Sequence, residues 1–217
     1  MKTKQLVLTA LMAAGLFTAS AQAAVVTSNV GFTVIEDFEG FDSLVTHGTA
    51  LSNGAYVTSD VYSTIGADDV DLIDNGVWGA GNRFAGIGDL SYIPTTSEGF
   101  LGSMTFDLGA SYSGAGALFS IYNDGAVSGQ ITIDALGAGS TVLQTYSFVV
   151  DLNDPLQYNT GLFYGFTSTS ADIVALRVTG DGFVVDNLSV VPVPAALPLL
   201  LSGLGMLGAM ARRRRSV

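Results

Sequence analysis

The sequence predicts an all-β protein: a single β-sandwich or jelly-roll domain, flanked by an N-terminal signal helix and a C-terminal transmembrane helix. Three observations lead there. Between residues 24 and 190 the chain is a succession of short runs rich in β-branched and aromatic residues, separated by turn-forming Asn-Gly, Asp-Gly and Gly-x-Gly steps. No stretch between the ends repeats its apolar residues at a convincing helical spacing. Two long uncharged apolar segments lie at the extremities, each beside basic residues.

Residues 1–23 have the three parts of a secretory signal in order. Lys2 and Lys4 start it, an apolar run follows from Leu6 to Ala19, and Ala21-Gln22-Ala23 offers small residues at the positions a signal peptidase requires. The run is shorter than the ~20 residues of a membrane span. Cleavage after Ala23 would make Ala24 the first residue of the mature chain.

Within 24–190, strands are expected at 32–35, 55–57, 102–106, 117–122, 130–133, 142–150, 162–166, 173–178 and 183–190. Asn53-Gly54, Asn123-Asp124-Gly125, Gly137-Ala138-Gly139 and Gly180-Asp181-Gly182 supply turns between them. Short strands at this spacing suit a sandwich or jelly roll. The acidic, glycine-bearing stretch from Asp60 to Asn82, and Asp154 to Gly161, are expected to be long loops over the sheet.

Residues 191–217 begin with Pro192-Val193-Pro194-Ala195-Ala196-Leu197-Pro198, continue without charge to Ala211 and end on Arg212, Arg213, Arg214 and Arg215. From Ala195 to Ala211 is about 17 residues, the lower limit for crossing the hydrocarbon layer. The arginines favour the cytoplasmic side, so the domain is expected outside. This tail closely resembles the PEP-CTERM group of sorting signals, in its VPxPA variant, with Val193 where the group's name-giving motif has glutamate. The resemblance covers only the last residues of the chain. It implies an exosortase-like processing enzyme as partner, transient anchoring in the inner membrane of a Gram-negative bacterium, cutting near the proline motif, and display or release among extracellular polysaccharide.

With both ends set aside, the central domain keeps Arg83 and Arg177 against all 19 acidic residues. Such a surface repels nucleic acid, which is excluded as a partner. It serves solubility, or it gathers carboxylates for divalent cations. The chain has no cysteine, so disulfides, thiolate metal sites and cysteine nucleophiles are excluded together. His47 is the single histidine, more at home in a loop than in a site, and no serine stands in a Gly-x-Ser-x-Gly elbow. No catalytic set follows, and a non-enzymatic role is expected.

Two binding features remain. Asp68 to Gly76 offers several oxygen ligands, but in an order that does not match an EF-hand loop. The opening Glu36-Asp37-Phe38-Glu39-Gly40 and the closing Val185-Asp186-Asn187-Leu188 are similar to the first and last strands of secreted jelly rolls of the carbohydrate-binding-module type. That resemblance implies a structural Ca2+ held by Glu39 and Asp186, clamping the termini. Trp78, flanked by Gly76, Gly79 and Gly81, is the ring expected to be open for stacking on a sugar; Tyr92, Tyr112, Tyr122, Tyr158 and Tyr164 are further candidates. The leading expectation is an exported, exosortase-sorted envelope or matrix protein associated with exopolysaccharide. A calcium-stabilised carbohydrate-binding module and a polysaccharide-modifying enzyme are the alternatives.

Overall fold

Alternation of side chains decides which face of each strand is buried. In Leu101–Tyr112, Met104, Phe106 and Leu108 point inward while Thr105 and Asp107 point out. In Gln130–Gly137, Ile131, Ile133 and Ala135 form the inward row. The computed structural model describes residues 23–68, 77–79, 81–90, 99–122, 129–151, 154 and 160–192. Its strands are β1 Ala24–Val26, β2 Thr33–Glu36, β3 Leu44–Ala50, β4 Tyr56–Ala67, β5 Phe84–Ile87 and β6 Leu101–Tyr112. They are followed by β7 Gly114–Ile121, β8 Gln130–Gly137, β9 Thr141–Val149, β10 Leu162–Thr167, β11 Ile173–Asp181 and β12 Phe183–Val191.

The fold is all-β and sandwich-like. Among the described residues every strand pair is antiparallel, and hydrogen bonds run in the order β1-β10-β7-β12-β5-β4-β6-β11-β8-β9, with β2 added beside β12 and β3 beside β4. Strand β4 carries this sheet from one layer into the other. Its first half, Tyr56 to Ser59, pairs with Asp107 to Met104 of β6, and its second half, Ser63 to Ala67, pairs with Ile87 to Phe84 of β5. Between the layers lie Phe106, Phe119, Phe166, Phe183, Ile133 and Leu176, all fully buried. Side chains bridge β9, at one end of the path, to β10, the neighbour of the strand at the other end. Phe148 of β9 stacks on Tyr164 of β10 at 4.0 Å between ring centres, and meets Phe119 edge-on at 5.6 Å.

The expected loop from Asp60 to Asn82 is corrected in its first part, because β4 continues to Ala67. Its polar residues hid the strand, and each is satisfied on the sheet. Thr64 Oγ1 donates to the Gly88 carbonyl and accepts from the Leu90 N–H, and Ser63 Oγ donates to the Thr46 carbonyl. Asp60 accepts from the Ser103 N–H at 2.7 Å and from its hydroxyl at 2.9 Å. His47, expected in a loop, stands in β3, exposed, with its ring 4.2 Å from that of Tyr62.

Among the described residues no helix is long and apolar enough to cross a membrane. The signal segment with Ala21, the motif residues Val193, Pro194, Ala195 and Ala196, and Arg212 to Arg215 lie outside the described residues, as do most of the acidic loop from Asp68 to Gly76, Tyr92 and Tyr158.

Gly66 shows how closely the layers' connections approach. Its φ is +74°, and a Cβ there would lie 2.5 Å from Cβ of Phe41 and 2.7 Å from its carbonyl oxygen. Gly66→Ala therefore meets both a backbone penalty of about 1–3 kcal/mol and a clash. The expected result is an unfolding free energy lowered by at least that much, measured by urea denaturation followed by circular dichroism.

Candidate metal centre at the junction of the first and last strands

The carboxylates singled out at the two ends of the domain come within electrostatic reach of each other because β2 and β12 are neighbours, with Leu188 opposite Glu36. Just before that register, β12 breaks its ladder with β7 between Asp186 and Ser189. Asn187 takes the left-handed conformation there (φ +51°), held by Ser189 Oγ donating to its carbonyl at 2.6 Å. The bulge leaves Asp186 buried, 2 % exposed, at the junction.

On the facing segment, Glu36 closes β2 as a turn-former. Its Oε1 accepts from the Phe38 N–H at 2.9 Å and its Oε2 from the Ser52 N–H at 2.7 Å. Those bonds, with a wholly buried ring at Phe38, hold Phe38 at the unusual φ of +57°. Asp37 Oδ1 accepts from the Glu39 N–H at 3.2 Å, and Glu39, exposed, accepts from the Arg83 N–H at 2.7 Å.

The electrostatics are one-sided. Among the described residues Asp186 accepts only from its neighbour Asn187, through the main-chain N–H at 2.6 Å and the side-chain amide at 3.1 Å. Burial raises its pKa to about 7, the Asn187 N–H opposes this, and the charges of Glu39, Asp37 and Glu36 push it further up. Neither arginine of the described residues answers this charge. Arg83 directs its guanidinium to Asp42 at 2.9 Å and to the Phe41 carbonyl, and Arg177 grips Asp134 at 2.7 and 3.0 Å. An uncompensated buried carboxylate is costly, so the junction holds either a proton on Asp186 or a cation from solution.

The chemistry of the donors suits a hard cation such as calcium, since all are oxygens. Among the described residues, however, no group of three or more acidic, histidine or cysteine side chains forms a metal-holding cluster. A cation bound by Asp186 and Glu39 would complete its shell with main-chain or water oxygens. Glu36 and Asp37 were missed as part of this junction. Their signal was the unbroken Glu36-Asp37-Phe38-Glu39 run at the end of β2, where Glu36 is buried although Val34 on the same face is exposed.

The ring expected to be open at Trp78 is instead fully buried. It packs edge-on against Phe84 at 5.6 Å, with Ala67, Leu90 and Val184 in the same cluster. A glycine distant in sequence covers it: a Cβ at Gly161 would sit 2.9 Å from the indole. Tyr164 is spent in the stack with Phe148, Tyr122 lies against Phe100, and Tyr112 is half-buried against the core. Comparison with protein-family models, with curated proteins and with solved structures found no match to this chain.

Because the folded pKa of Asp186 lies above the ordinary 3.8, the folded state holds this proton the more tightly. Its stabilising contribution is complete below about pH 4 and is lost as pH rises to 7. In EDTA, chemical denaturation should therefore show Asp186→Asn matching the parent near pH 4 and exceeding its stability at pH 8. Calcium at a hundredfold excess over its dissociation constant should restore about 2.7 kcal/mol to the parent at pH 8 and nothing to the variant. Equal pH profiles for the two proteins would refute the buried charge.

Proposed function

We infer that this chain is an exported, non-enzymatic cell-envelope or extracellular-matrix protein, sorted by an exosortase-like enzyme and associated with exopolysaccharide. The single observation carrying this reading is the C-terminal segment, where proline motif, apolar run and arginine cluster stand in order after the last strand. The local geometry at the exit of the sheet supports it. Strand β12 ends at Val191, whose carbonyl accepts from both the N–H and the hydroxyl of Ser113 at 3.1 Å, and Pro192 is already exposed. Cutting beyond that point would remove no strand of the described residues. At the other end, β1 begins at Ala24, immediately after the expected signal cleavage.

The observation favouring a calcium-stabilised module as a second reading is the uncompensated Asp186 beside Glu39. Calcium there would be structural, fastening the first strands to the last. Glu39 and Asp186 would supply carboxylate oxygens, and the bulge at Asn187 would keep Asp186 in place.

In an exosortase-bearing Gram-negative host that makes exopolysaccharide, the tagged chain should be recovered outside the cell in a form lacking the residues after the proline motif. Replacing Pro192 and Pro194 by alanine should leave it full-length in the inner membrane. Mass spectrometry of the two fractions checks this, and release of an unshortened chain would overturn the sorting assignment.

A further inference from the structure

A groove of about 290 Å³ crosses the outer face of the layer that contains β6, β11 and β8. Tyr56 and Thr58 of β4 form one side, Thr105 and Asp107 of β6 the middle, and Ala175 and Leu136 an apolar part of the lining. The turn from Gly137 to Ser140 closes the far side. From β4 to β8 is three strand spacings, about 14 Å, so the groove suits a segment of a polymer better than a single small molecule.

The groove lies where the regular ladder is interrupted twice. The pairing of β11 with β6 shifts between Ile173 and Ala175, and that of β8 with β9 between Ala135 and Leu136. Bulges re-aim side chains, and both open onto the groove. Asp107 is set in advance. Its Oδ1 accepts from the Gly109 N–H at 2.9 Å, and Gly109 has φ +71° with a Cβ position 2.5 Å from the Gly54 carbonyl oxygen, so only glycine serves there. Tyr56 is 44 % exposed, and its Cε1 and Oη pass 3.3 Å from where a Cβ of Gly48 would stand. The missing side chain at 48 is what lets this ring lean over β3 and keep a face open to the groove.

The chemistry selects the ligand. An exposed phenol ring, threonine hydroxyls, one oriented carboxylate and an apolar patch match a molecule with hydroxyls on its rim and C–H groups on its face. Arg177, the nearest cation by register, opposite Thr105, is held by both contacts to Asp134. Among the described residues no cation lines the groove, the charge of Arg177 is balanced by Asp134, and the acidic domain repels anionic polymers as a whole. We propose that this groove is a binding site for a neutral polysaccharide, with Tyr56 as the stacking platform and Asp107 as the acceptor that orients the sugar hydroxyls. This deepens the reading of a protein associated with exopolysaccharide and rests on it.

The test is native gel retardation of the full-length chain in zwitterionic detergent, with soluble neutral polymers (a β-glucan, a galactomannan, a xylan) and with alginate as the anionic comparison. Retardation by a neutral polymer is expected, insensitive to salt, with a dissociation constant raised at least tenfold in Tyr56→Ala and several-fold in Asp107→Asn. Tyr56→Phe should retain most of the binding. Unfolding curves for each variant separate a lost contact from a lost fold, and Asp107→Asn carries the test should Tyr56→Ala unfold. The proposal is overturned if no neutral polymer retards the chain, if alginate alone does, or if both Tyr56→Ala and Asp107→Asn bind as the parent does. Such a failure in purified protein leaves tail processing in cells untouched, and a failure of processing leaves this binding measurement untouched.

Discussion

Most of the architecture hangs on the pairing of β12. One edge of this strand bonds along β7, and the other is shared between β5 near Val184 and Val185 and β2 near Leu188 to Val190. Its side chains are buried on both faces, which is why Phe183 to Val190 is nearly continuous in apolar residues where outer strands alternate. Removing it would separate three strands that have little else to join them. The bulge at Asp186–Ser189 is the adjustment that lets one strand serve two short partners on the same side.

That adjustment explains why a charged residue sits in the most buried strand. Once Asn187 turns into the left-handed region, the preceding side chain is directed into the junction with the turn at Glu36 to Glu39. A chain with only two arginines in its domain has no spare cation to place there. The same scarcity shapes the outer groove, where Arg177 is paired through Nε and Nη2 with Asp134, itself 6 % exposed and also bonded by the Thr145 hydroxyl. Charge in this protein is therefore organised by where its few positive groups are already engaged.

Fold class and the later strands were legible because β8, β9, β10, β11 and β12 carry their apolar residues in uninterrupted or alternating runs between glycine turns. Strands β3 and the second half of β4 were not. β3 has no buried residue, and in β4 the buried Ile65 stands beside Ser63 and Thr64, polar residues that count as buried only after their partners on Thr46 and Gly88 are known. Glu39 and Asp186 could be picked out from the two ends, and β2 does lie beside β12, but the burial of Asp186 depends on a bulge that no pattern of residue types announces. Trp78 was misjudged for the opposite reason. Neighbouring glycines suggest openness locally, yet the indole is covered by residues distant in sequence, as the approach of Gly161 to it shows. Tyr56 went unnoticed because the absence of a side chain at Gly48, a residue on another strand, decides its exposure.

The position of β12 in the chain has a consequence for the order of events during synthesis. Its partners at residues 33–36, 84–87 and 114–121 are made early, yet none can complete its pairing until residue 191 exists. Contacts this distant along the chain form slowly, because a long loop must close before any of them stabilises the fold. If the chain is exported as proposed, the delay is useful: the last described strand to emerge is the one that locks the structure, which disfavours compaction before translocation.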